Sequence, residues 1–357
     1  MSKTVLWIGC ATHSPLLNKN LSFYSNMLWH YCLGDNYSVQ SLICDSCDMF
    51  DIKTIDLYDD YIITNKIKFY LMKYTSIVFT WNLYTCSIDD INKMLNIENT
   101  VKKLDINMNI INSPSSYIYI HYKHQFYSLL SNNGYSSFVP KNKLLSCICD
   151  LFINSVPFPK IIRSDISSGG IETFLSYNYI DLVKCYRKIN DKKHVIIIEY
   201  INNHRTSGYY CSYRVFMCNN KIYFAYPHVS TKQWCAHTNP EGYAPDISDY
   251  LHEYDIIINK IAENRNLFIR IQNLLQINHL ALDVLLYDGK IFFCEPELKY
   301  GIDDNYKRQL EHYNLEFNFM LELQKKHFEP LDISDFYTAQ KMSLSIISDN
   351  NLCLNGG

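Results

Sequence analysis

Three carboxylates, Asp283, Glu295 and Glu297, are the residues whose types and spacing best suit chemistry. The run from His279 to Glu297 reads as two β-rich segments joined by Asp288-Gly289, a strong hairpin signal. Asp283 falls on the first segment. Glu295 and Glu297 end the second, two residues apart, so they project to one face. Pairing across the turn can bring Asp283 beside them. Three acids on one face repel unless a cation lies between them, and hard oxygen donors select Mg²⁺ or Mn²⁺. In the metal-free protein this repulsion implies that removing one acid leaves stability unchanged or higher. The alternative is a solvent-facing hairpin edge with scattered acids.

A second chemical signal is Arg214, set in the apolar stretch Tyr213-Arg214-Val215-Phe216. A buried guanidinium is costly unless an anion meets it. That anion is either a bound phosphate or a structural acid elsewhere in the chain. Lys232 and His237, in the polar loop 227–250, and Lys299, just past the acids, are further cations. Charges in polar loops are more often solvated than functional.

These groups must be held by a framework large enough for several lobes. The chain has 357 residues, of which 48% are hydrophobic, so two or three lobes with a sizeable core are expected. A net charge of -3 and a pI near 6.4 provide no basic footprint for nucleic acid or an anionic membrane. Tyrosine (30) is abundant and glycine (11) scarce, as in AT-rich genomes, so the tyrosines do not mark a base-stacking platform. Thirteen scattered cysteines without a secretory signal favour a reducing cytosol, and the protein is read as cytoplasmic. The apolar run 5–11 is too short to span a bilayer and reads as a buried first strand. Cys44-Asp45-Ser46-Cys47 has a zinc-knuckle spacing, but its only matching pair, Cys147 and Cys149, lies about a hundred residues away. Neither a P-loop nor a G-x-G-x-x-G fingerprint is present.

Along residues 1–115, short apolar runs (4–8, 76–80, 108–111) alternate with helix-compatible stretches, which suggests a small α/β domain with a parallel sheet. Helices are expected at 119–132, closed by Asn133-Gly134, and at 144–153, 172–188, 252–277 and 305–326. Strands are expected at 157–163, 194–201, 209–217 and 221–226. Residues 164–170 read as a polar loop with the Gly169-Gly170 pair.

The order of these features is a basic residue, a Gly-containing loop after a strand, a strand ending in Glu, a strand with an inward Arg, and an Asp…Glu-x-Glu hairpin. It resembles the ATP-grasp superfamily, which includes D-alanine–D-alanine ligase, glutathione synthetase and amino-acid ligases that tag peptide C-termini. The resemblance covers roughly 112–300. It is strongest in the hairpin, where the twelve residues from Asp283 to Glu295 match the family spacing. It implies an α/β chain, with α+β lobes of the ATP-grasp fold behind the small parallel-sheet domain. The implied divisions are 1–115, 116–195 (small lobe with the phosphate loop), 196–335 (C-terminal lobe with the metal hairpin) and a tail at 336–357.

The resemblance also assigns roles. Lys123 reaches the nucleotide phosphates, and Arg163 stands where the family has a second lysine, exchanging a point charge for a planar fork. Lys160 could substitute for it, although strand alternation puts the two on opposite faces. Ser167, Ser168, Gly169 and Gly170 belong to the loop that closes over the phosphates. Glu199, Tyr200 and Ile201 form the interlobe linker that reads adenine. Arg214 binds phosphate or an acyl-phosphate, while Ser212 stands two residues earlier where many members have an acid. Lys232 and His237 are candidates for the transferred phosphate or the substrate carboxylate, and Lys299 for the acceptor pocket. Asp283, Glu295 and Glu297 hold Mg²⁺ or Mn²⁺, with Glu297 replacing the usual Asn. The implied activity is an ATP-dependent carboxylate–amine ligase acting on small-molecule or peptide substrates. Two alternatives stand beside it: a non-catalytic nucleotide-binding scaffold on the same fold, and a kinase-like phosphotransferase.

Overall fold

The computed structural model of the chain describes residues 3–9, 50–56, 61–74, 76–80, 88–105, 108–152, 155–166, 170–218, 220–231, 234, 246–277, 279–297 and 304–328. Four strands come first: β1 (Lys3–Gly9), β2 (Phe50–Asp56), β3 (Ser76–Thr80) and β4 (Asn109–Ile111). They pair in parallel in the order β2-β1-β3-β4. Parallel neighbours need crossovers, here supplied in part by helices α1 (Ile67–Lys73) and α2 (Ile88–Lys103). In α2 the buried Ile91, Met94, Ile97 and Val101 recur at three- and four-residue spacing. Asp89 and Asp90 open that helix and Lys102 and Lys103 close it, both matched to its dipole. Strand β2 has no counterpart among the sequence expectations. Cys44 and Cys47 lie outside the described residues.

The helix expected over 119–132 is two helices, α3 (Tyr117–His121) and α4 (Lys123–Leu130). They are separated by Tyr122, whose backbone is extended (φ -110, ψ 113). A second sheet follows, built from β5 (Asn142–Leu144), β6 (Lys160–Ser164), β7 (Thr173–Ser176) and β8 (Val195–Glu199). Its order is β5-β8-β6-β7, every pair antiparallel. Because β8 is an inner strand, this sheet runs to Glu199. Helix α5 (Tyr179–Lys188) begins seven residues later than expected, because Asn178 caps it by accepting the Asp181 N–H at 3.0 Å. The expected helix at 144–153 is instead β5 and a 3₁₀ turn at Ile148–Phe152. There the Asp150 carboxylate accepts the N–H groups of Ser146 (2.7 Å) and Cys147 (3.2 Å).

The third sheet holds β9 (Tyr210–Cys218), β10 (Lys221–Ser230), β11 (His279–Tyr287) and β12 (Lys290–Glu297). They are antiparallel in the order β10-β9-β11-β12. Helices α6 (Ile247–Glu263) and α7 (Arg265–Leu275) replace the single helix expected at 252–277, with the break at Asn264. Glu253 of α6 ties that helix to β9. It accepts from Arg205 Nε at 2.8 Å, from Tyr209 Oη at 2.9 Å and from Tyr213 Oη. Helices α8 (Asp304–His312) and α9 (Phe317–Gln324) end the described chain, again two where one was expected. The tail at 336–357 lies outside the described residues. The α/β class read from the sequence is the class found. Among the described residues no helix is long and apolar enough to cross a membrane.

Two cores divide the work. A large one runs from the first sheet through the third, and a smaller one lies under α5. Strand β8 faces both, with Ile196 and Ile198 in the large core and Val195 and Ile197 in the small one. Each such side chain contributes about 1.5–3 kcal/mol on burial, which fixes the strand's register and hence which face of β6 meets the cleft.

Candidate functional site

The geometry of the acids follows from a parity argument. Tyr287 pairs with Lys290 across Asp288-Gly289, so Val284 opposes Phe293. With no irregularity Asp283 would oppose Cys294, and Glu295 and Glu297 would point to the other face. A bulge between Asp283 and Val284 shifts the register by one, so Asp283 opposes Glu295 and Ala281 opposes Glu297. All three acids then share a face, with one oxygen from each lying within 4.8 Å of the others. An all-oxygen set this close fits Mg²⁺ or Mn²⁺. Twelve residues and a two-residue turn therefore require the bulge.

The acids already meet cations from the protein itself. Arg214 lies opposite Asp283 on β9. It donates from Nε and Nη2 to the two Asp283 oxygens, both at 2.8 Å, and Nη2 lies 3.0 Å from Glu297 Oε2. Lys123 Nζ lies 2.8 Å from Glu295 Oε2, with both side chains buried. The expected repulsion is thus corrected: Lys123 and Arg214 offset two of the three negative charges in the cluster. Burial works against the Arg214 charge, but Asp283 and Glu297 hold its pKa well above the ordinary arginine value. Lys123 goes the other way. Burial, then the neighbouring Arg163, lowers its pKa despite Glu295.

The backbone around Lys123 is pinned from a distance. The Asp165 carboxylate accepts the His124 N–H at 2.9 Å and bonds the His124 ring, while the Asp165 carbonyl accepts the Lys123 N–H at 3.3 Å. An acid from the end of β6 therefore caps α4, which has no side-chain cap from its own N-cap residue.

A cleft of about 810 Å³, part of it open to solvent, lies between the second and third sheets. Arg163 and Ile161 line it from β6, Glu199, Tyr200 and Ile201 from the end of β8 and beyond, and Asp283 and Glu295 from the acid hairpin. Lys160 does not. It is fully buried on the opposite face of β6, with Nζ 3.9 Å from the Phe158 ring centre, and so does not stand beside Arg163. The Glu199 carboxylate accepts the Lys141 N–H at 3.1 Å, and its own N–H donates to the Lys141 carbonyl at 2.7 Å. Burial pushes the Tyr200 hydroxyl up to about 12.

Lys123, Arg163, Arg214, Asp283, Glu295 and Glu297 are thus gathered around one cleft and the acid cluster at its edge, with Glu199, Tyr200 and Ile201 on its wall. Gly170 is described, with φ +73, a conformation glycine adopts without strain. Ser167, Ser168, Gly169, Lys232, His237 and Lys299 lie outside the described residues. The cleft also takes Tyr127, Asn203, His228, Trp234 and Cys294, none of which the sequence reading singled out as site residues. For Tyr127 a signal existed: it stands four residues after Lys123, one helical turn on the same face.

No family model and no curated protein matches the sequence. Solved structures are similar to it in fold. N5-carboxyaminoimidazole ribonucleotide synthetase from Thermotoga maritima shares 13% identity, over 87% of this chain and 71% of that one, with a TM-score of 0.49. D-alanine–D-alanine ligase from Bacillus anthracis, complexed with ATP, shares 10% identity over 98% and 100%, with a TM-score of 0.49. A RimK-domain ATP-grasp protein from Sphaerobacter thermophilus shares 10% identity over 90% and 98%, with a TM-score of 0.46. The chain is similar to ATP-grasp proteins.

Proposed function

We propose that the protein is an ATP-dependent carboxylate–amine ligase of the ATP-grasp kind, joining a small-molecule or peptide carboxylate to an amine. The observation that carries this reading is the convergence of Asp283, Glu295 and Glu297 on one face beside Arg214 and Lys123, at the edge of a cleft walled by Arg163. Asp283, Glu295 and Glu297 would hold the ion, which when bound offsets negative charge on the nucleotide phosphates. Arg163 and Arg214 neutralise charge developing on the transferred phosphoryl group, and the apolar wall at Ile161, Ile198 and Ile201 seats the base. A substrate carboxylate oxygen attacks the γ-phosphorus as the bond to ADP breaks. An amine then attacks the acyl carbon, phosphate leaves, and the amine's proton passes to solvent or a nearby base. No side-chain nucleophile is required. Excluding water from the cleft protects the acyl-phosphate.

Phosphate release tests the proposal against its two alternatives. The chain is incubated with ATP and Mg²⁺ and with panels of amino acids and short peptides. A ligase releases phosphate only when an acid and an amine are both present. A phosphotransferase forms ADP with a single acceptor and no free phosphate. A scaffold binds ATP and releases nothing.

A further inference from the structure

Tyr127 is nearly all buried, at 3% exposure, yet it lines the cleft. Its hydroxyl makes no hydrogen bond to any described residue. A buried tyrosine ordinarily finds a partner for its hydroxyl, because the apolar body gains from burial and the polar tip does not. Here the described protein supplies no partner, and the residue borders the cleft. The residue projects from the same face of α4 as Lys123, one turn on, and its cleft neighbours include Arg163, Cys294 and Glu295. A phenol is protonated at neutral pH, so the hydroxyl is a neutral donor. It stands at the cleft wall near Arg163 and Glu295.

We infer that the Tyr127 hydroxyl donates a hydrogen bond to a phosphate oxygen of the bound nucleotide, as a binding residue beside Arg163. This inference rests on the reading of the cleft as a nucleotide site. The chemistry selects a phosphate over the base. Arg163 and Glu295 lie near the hydroxyl, where an anionic ligand with a metal ion would be held, whereas the base is proposed to lie against Ile161, Ile198 and Ile201. A neutral donor there adds a directional contact with no further charge to desolvate.

The test uses the full chain and Tyr127→Phe, which removes one oxygen and keeps the ring. Dissociation constants for ATP, ADP and adenosine are measured by calorimetry with Mg²⁺ present, alongside unfolding midpoints without ligand. The expected result is an unchanged midpoint, roughly tenfold weaker ATP and ADP binding, the loss of one hydrogen bond to a charged acceptor, and unchanged adenosine binding. Unchanged ATP affinity overturns the inference, as does equal weakening of all three ligands. A lowered midpoint also overturns it, since the hydroxyl would then serve the free fold. If the wild-type chain binds no ATP, the nucleotide reading itself fails, which the wild-type measurement shows separately.

Discussion

Lys123 and Lys160 are both buried, one at the acid cluster and the other on the far face of β6, and their surroundings differ completely. Lys123 meets Glu295 at 2.8 Å. Lys160 has no ion pair or hydrogen bond among the described residues and rests on the Phe158 and Tyr179 rings, 3.9 and 5.7 Å from its Nζ. Burial lowers the Lys160 pKa, and no described acid opposes it. The contrast separates chemistry from packing: beside the cleft each buried cation is matched by a carboxylate, and behind β6 a buried amine is tolerated by aromatic faces.

The largest expected effect comes from breaking the matched side. Glu295→Gln leaves the Lys123 ammonium buried with a weaker partner, and Arg214→Ala strands Asp283 and Glu297. Removing one member of a buried pair costs about 3–5 kcal/mol, so both variants should unfold at clearly lower denaturant in the absence of ligand. Unaltered midpoints would show that the acids are solvated and the pairs contribute nothing.

Lys123→Met sharpens the comparison with a change of sign. It keeps the aliphatic stem and frees Glu295, so the acid cluster gains net negative charge. Affinity for Mn²⁺ without nucleotide should rise roughly tenfold, the equivalent of about 1.4 kcal/mol, while ATP affinity falls. Calorimetry with the metal alone and with ATP reads both. Weaker metal binding in this variant would mean that Lys123 does not compete for the acids.

The smallest effect is expected on the far face. Lys160→Met replaces a buried amine by an apolar chain of similar length, so stability should hold or rise by about 1 kcal/mol, with nucleotide affinity unchanged. A loss of ATP binding would place Lys160 in the site after all and dissolve the contrast.

Much of the site could be read from spacing, because strand parity is strict. Arg163 and Lys160 are three apart, and the strand puts them on opposite faces as alternation requires. The acid hairpin was legible as a hairpin, and the bulge that unites its acids follows from an even separation across a two-residue turn. Helix boundaries were less legible. Tyr122 and Asn264 break runs whose apolar periodicity continues across them; nothing local marks Tyr122 as a stop, and Asn264, a cap-forming type that donates to the Lys260 carbonyl at 2.9 Å, is a weak signal inside a long apolar pattern. Residues 173–176 have no strand pattern of their own and become β7 only by pairing with β6. The cations' partners were beyond the sequence entirely. That Lys123 reaches Glu295, 172 positions away, depends on how α4 packs against β12.

The central claim is that Asp283, Glu295 and Glu297 act together on a metal–nucleotide complex. A crystal structure of the chain with a non-hydrolysable ATP analogue and Mg²⁺ tests it directly. The expected result places the ion at roughly 2.0–2.1 Å from oxygens of at least two of the three acids, with Lys123 turned from Glu295 toward phosphate. An ion more than about 4 Å from all three, well outside direct coordination, or a nucleotide bound elsewhere than the Arg163 cleft, would contradict it.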